Sequence, residues 1–157
     1  MTTQATDQRP ALSSVADIEA LADQLSASAD EIHARVMAEI RKYKGGAVNE
    51  AEQALARGML DDEVLLRQRA NGLYADAATY VVKSLSASQA QLMQLTADAA
   101  EKIRKIGRIA DAAGLIGGLL MLAGAAATGQ PAPIIVAIER LGKHIKKIQA
   151  SSPNKAA

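Results

Sequence analysis

Between Ala112 and Ile138 the chain reads AAGLIGGLLMLAGAAATGQPAPIIVAI, 27 residues without one Asp, Glu, Lys, Arg or His. A helix that is apolar on every side has to be buried on every side, in protein or in lipid. The stretch is interrupted only by Gly129-Gln130-Pro131-Ala132-Pro133, which stops one helix and starts another. It therefore predicts an apolar helical hairpin over 112–138. Cations stand at both ends: Lys102, Arg104, Lys105 and Arg108 before it, Arg140, Lys143, Lys146 and Lys147 after it.

The remainder of the chain carries helical periodicity. Ser14 with Asp17 forms a box-like helix start, and Val15, Ile18, Ala22, Leu25, Ala29, Ile32, Val36 and Tyr43 recur at alternating steps of three and four. Gly45-Gly46 ends this first helix, expected over 14–44. Asn49 with Glu52 starts a second, expected over 49–84, with a possible break at Asn71-Gly72. The seam resumes at Leu92, Leu95, Ala99, Ile103, Ile106, Ala110 and Ala113 and runs directly into the uncharged stretch, which predicts one helix over 89–128. A fourth is expected over 133–149, with Ile134, Ile138, Leu141, Ile145 and Ile148 on one face. The fold class is all-α: an elongated bundle of about four helices in a single domain, 13–149. Polar tails at 1–12 and 150–157 are expected to be disordered.

Composition agrees with helix-on-helix packing. The chain has 157 residues, enough to bury a core, and its apolar mass comes from Ala, Leu and Ile, with no Phe or Trp. No cysteine is present, which excludes disulfides and thiolate metal sites. Residues 1–12 lack the apolar core of a signal peptide, so the expectation is a cytoplasmic protein, or one exported without a cleavable signal and membrane-associated. Charge is unevenly placed. Residues 1–99 hold 9 Lys/Arg against 14 Asp/Glu, and residues 100–157 hold 9 against 3, a split of −5 and +6. A basic third around an apolar core suits anionic lipid or an acidic partner.

Catalytic signals are weak. Asp30-x-x-His33 is half of a carboxylate-bridged di-iron motif, without the second copy such a site needs. Asp61-Asp62-Glu63 lacks the alternating spacing of a calcium loop. There is no phosphate loop or nucleophile elbow, and the basic fourth helix has no aromatic platform for nucleic acid. No enzyme, cofactor, metal or nucleic-acid role is expected.

The informative residues are small ones. Gly114, Gly117 and Gly118 fall within five helix positions, where each costs about 1 kcal/mol relative to Ala. Close helix packing offsets that cost, in lipid most of all. Leu115, Ile116, Leu119, Leu120, Met121, Leu122, Ile134, Ile135 and Ile138 are the candidate membrane-inserting residues. Arg140, Lys143, Lys146 and Lys147 are the candidates for lipid headgroups or an acidic partner. In plan the chain resembles the helical-bundle pore-forming toxins and the secretion-system translocators, which keep an apolar hairpin among amphipathic helices. The expected function is membrane-active, pore-forming or inserting, with an anionic membrane surface as partner. The alternative is a soluble homo-oligomeric adaptor or immunity-type protein, whose hairpin is core or a surface for a helical protein partner.

Overall fold

A computed structural model describes residues 8–43 and 49–151. It is all-helical, with five α-helices and no strand among the described residues. These are α1 (Val15–Arg41), α2 (Glu50–Ala75), α3 (Gln89–Lys105), α4 (Ile109–Ala126) and α5 (Pro131–Ser151), with a short 3₁₀ turn at Ala77–Tyr80.

Local chemistry sets most boundaries. The Ser14 side chain accepts from Asp17 N–H at the start of α1, and the Asn49 side chain accepts from Ala51 N–H before α2. Ser88 and Gln91 form a reciprocal capping box on α3. Two helices end where the periodicity does not. α2 passes through Asn71-Gly72 but stops at Ala75, not at 84: Asp76 closes it by donating to the Gly72 carbonyl, and Ser84 beyond adopts a positive φ of 65°. The helix expected over 89–128 is two helices, because Ile106 and Arg108 are extended at the ends of a three-residue break.

Side-chain pairs fix the directions. Asp30 meets Arg67 and His33 meets Glu63, so α1 and α2 are antiparallel. Gln89 bonds the Asp17 carbonyl and Arg35 bonds the Ile106 carbonyl, so α3 runs parallel to α1. α4 returns along α2, bringing Gly124 to Arg69 and the Gly129 turn to Thr79 and Tyr80. α5 then packs back on α4 and on α3. One continuous core results, with Ile18, Leu21, Leu25 and Ile32 of α1, Leu66 of α2, Leu92 and Ile103 of α3, and Leu115, Ile116 and Leu119 of α4 all fully buried.

The tail expected over 1–12 is structured over its described part, with residues 1–7 outside it. Ala11 N–H donates to the Ala87 carbonyl, Gln89 N–H to the Arg9 carbonyl and Val82 N–H to the Leu12 carbonyl. Ala11 and Leu12 are fully buried, and Leu12 takes a left-handed φ of 59° to enter α1. The composition is polar, but two apolar residues seated under a loop outweigh it. Of the tail expected over 150–157, Ala150 and Ser151 belong to α5, and residues 152–157 lie outside the described residues.

Candidate functional site

The hairpin expected over 112–138 is formed by α4 and α5. Gly129, at a left-handed φ of 64°, allows the tight reversal between them. α4 has 18 residues and one charge, Asp111, in its first turn. It meets the length and composition of a membrane span, although only weakly, because the core helix of a soluble protein passes the same test. At 1.5 Å per residue it would cover about 27 Å, just short of a ~30 Å hydrocarbon layer.

The three glycines behave differently. A Cβ on Gly114 would lie 2.6 Å from His144 Nε2, and one on Gly118 would lie 2.9 Å from Leu141 Cδ1, so both positions bring α4 close to α5. Gly117 has nothing within 4 Å of the same point and faces outward. The expected close packing therefore belongs to Gly114 and Gly118. Gly124, which the sequence did not single out, makes a third close approach: its Cβ would lie 2.5 Å from an Arg69 guanidinium nitrogen. That cation rests against the last turn of α4, where helix carbonyls carry partial negative charge.

The candidate inserting residues divide by burial. Leu115, Ile116, Leu119, Leu122 and Ile134 are fully buried, and Leu120, Ile135 and Ile138 are half-buried. Met121 is 42% exposed and continues an open strip with Ala110 and Gly117. The strip carries no charge.

Arg140, Lys143, Lys146 and Lys147 are all exposed on α5. Arg140 and Lys147 are one turn either side of His144, the residue that touches Gly114, so they flank the α4 side of the helix. Lys143 and Lys146 lie further round. The structure thus places two cations beside the uncharged strip and two facing away.

The polar residues weighed for metal chemistry lie between α1 and α2. Asp30 pairs with Arg67 at 2.8 Å, Arg67 with Glu63 at 2.9 Å, and Glu63 with His33 Nδ1 at 2.9 Å. Glu63 is the buried member, ion-paired with Arg67 and hydrogen-bonded to His33. Among the described residues no three His, Asp or Glu side chains converge as a metal set. Asp62 faces outward of this ladder, with its carboxyl pushed above the usual range by partial burial and by Asp61.

A contact absent from the sequence reading joins α1 to the α3–α4 break. The buried Arg35 donates from Nη1 to Glu39 Oε1 at 2.8 Å and from Nη2 to the Ile106 and Gly107 carbonyls at 3.2 and 3.3 Å. No local sequence signal marks it, because its partners are backbone atoms 71 and 72 residues away. No protein-family model, curated protein or solved structure matches the chain.

Proposed function

We propose that the chain is an elongated helical bundle acting at anionic membranes. Its apolar hairpin is held under α1–α3 in solution and engages lipid through α4 and α5. One observation carries this reading: α4 has a single charge, leaves Ala110, Gly117 and Met121 open to solvent, and is flanked by the exposed cations Arg140 and Lys147. An uncharged strip beside cations is the arrangement that interfacial lipid binding uses, combining apolar burial with attraction to negative headgroups. Lys143 and Lys146 add to the field without lining the strip.

Flotation with vesicles of phosphatidylglycerol and phosphatidylcholine tests it. Wild-type protein is expected to float with anionic vesicles and to remain below purely zwitterionic ones. Each cation near the surface contributes about 1 kcal/mol, so Lys143→Glu/Lys146→Glu/Lys147→Glu weakens partition by about 100-fold or more. Absence of flotation at low salt, at both neutral and acidic pH, rules the reading out.

The complete burial of Leu115, Ile116, Leu119, Leu122 and Ile134 favours a second reading. In it the hairpin is simply core, and the open strip of α4 joins copies of a soluble adaptor or immunity-type protein. Protein that ignores lipid but sediments as a discrete oligomer, dissociated by Gly117→Glu, supports that alternative.

A further inference from the structure

The break between α3 and α4 is only partly encoded where it occurs. The apolar seam Leu92, Leu95, Ala99, Ile103, Ile106, Ala110 and Ala113 continues in helical register across it.

 Neither a proline nor a capping Ser, Thr, Asp or Asn stands at 106–108. The N-cap of α4 is Arg108, which makes no side-chain cap bond. Lys102, Arg104 and Lys105 in the last turn of α3 and Asp111 in the first turn of α4 suit two helix ends, but the contribution of each such charge is small. Gly107 follows the C-cap of α3 but does not adopt the left-handed φ by which a glycine usually closes a helix. The break is three residues long, with Ile106 (ψ 138°) and Arg108 (ψ 124°) extended on either side of Gly107.

What holds the bend is tertiary. Arg35, with a side chain only 7% exposed, gives Nη2 to the Ile106 and Gly107 carbonyls, which a continuous helix would have bonded to the N–H groups of 110 and 111. Glu39 fixes the same guanidinium from one turn away on α1. We infer that Ile106-Gly107-Arg108 is a hinge latched by Arg35, and that its straightening into one helix over 89–126 releases the hairpin from α1–α3. The close contacts Gly114–His144 and Gly118–Leu141 lie within the hairpin, so α5 travels with α4. The contacts given up are those of α4 with α1, α2 and the facing side of α3, and of α5 with α3, including Arg69–Gly124 and Leu95–Gly142. The buried Leu and Ile of α4 then become available to lipid. This regulation rests on the membrane reading proposed above, but the hinge is tested separately from it.

The chain has no cysteine, so spin labels can be placed at Gln94→Cys and Ala127→Cys, exposed positions on α3 and at the end of α4. With the hinge bent they lie on neighbouring helices, on the order of 10–20 Å apart. Straightened, 33 residues of helix separate them by about 50 Å. Electron–electron distance measurements on the full chain are made in buffer and on phosphatidylglycerol–phosphatidylcholine vesicles. Wild-type protein is expected to give the short distance in buffer and a long component on vesicles. Arg35→Met is expected to raise the ratio of long to short about tenfold at a fixed lipid concentration. Ile109→Pro supplies the opposite control: proline fits the first position of α4 after an extended Arg108, but it cannot continue a helix from α3. It should hold the short distance in both media, alone and combined with Arg35→Met, while Ile109→Ala behaves as wild type. Vesicle binding with only the short distance overturns the hinge and leaves the lipid reading intact. Lengthening of Arg35→Met in buffer without any vesicle binding does the reverse. Lengthening that Ile109→Pro fails to suppress also overturns the hinge, and protein that neither binds nor lengthens overturns both.

Discussion

At the scale of single residues, the hairpin glycines separate two costs that a sequence presents as one. Gly117 faces open space on a helix, so Gly117→Ala is expected to stabilise the protein by up to about 1 kcal/mol through helix propensity alone. Gly118 lies against Leu141, and Gly118→Leu is expected to cost about 1–3 kcal/mol by overpacking. Urea titrations of the two variants should move in opposite directions from wild type. Two carboxyls give a similar contrast in pH. The Arg35 hydrogen bond, aided by Lys42, holds Glu39 below the usual carboxylate range against the opposing effect of burial. A carboxyl lowered on folding contributes stability above its unfolded value, near 4.3, and that contribution is lost as pH falls through the folded value. Stability measured across the acid range should therefore fall less steeply in Glu39→Gln. Asp62 has the opposite sign: its raised carboxyl is a penalty at neutral pH that protonation relieves. Asp62→Asn should accordingly be more stable than wild type at pH 7.

Elements were legible wherever their ends are written locally. Ser14 and Asn49 each place a helix start to within about a residue, and the Gly129–Pro133 turn separates α4 from α5. Apart from the early end of α2, which is local, the misplaced features depend on distant partners. Nothing near Gly107 foretells that Arg35 stabilises a bend there, and nothing in a polar N-terminal segment foretells that Leu12 has a buried seat. The candidate site was legible to the same degree. Sequence located the apolar stretch and its cations, but the sorting of Gly114 and Gly118 from Gly117 required the position of α5. Gln89 is the element-level test of the N-terminal segment. Its side chain accepts from Leu12 N–H at 3.0 Å and donates to the Asp17 carbonyl at 3.4 Å, both in buried surroundings. Gln89→Leu leaves that N–H unpaired and is expected to cost about 1–3 kcal/mol, measured by thermal or urea unfolding. Ser88→Ala, which removes one half of the capping box, should cost about 1 kcal/mol in the same assay.

Across the whole molecule, charge and burial are arranged on different axes. Formal net charge is only +1, but residues 1–99 carry −5 and residues 100–157 carry +6, the change of sign falling within α3. Under the membrane reading this asymmetry orients the protein as well as attracting it. A fluorophore at Val136→Cys on α5 should be quenched by brominated anionic lipid, whereas one at Ala34→Cys on α1 should not. Raising salt from about 0.05 to 0.5 M should release the protein, because the Debye length shrinks from beyond 10 Å to a few ångströms.

The seat of Leu12 also has a consequence during synthesis. Its partner Gln89 is added 77 residues later, which at about 5–20 residues per second is a wait of roughly 4–15 s on the ribosome. The N-terminal segment cannot be fastened until α3 has begun to emerge. By that time α1 and α2 are already available to pair, and the uncharged stretch at 112–138 has yet to be made. Chain order therefore assembles the cover before the surface it has to cover, so the most aggregation-prone part of the nascent chain emerges next to a partner that is already waiting.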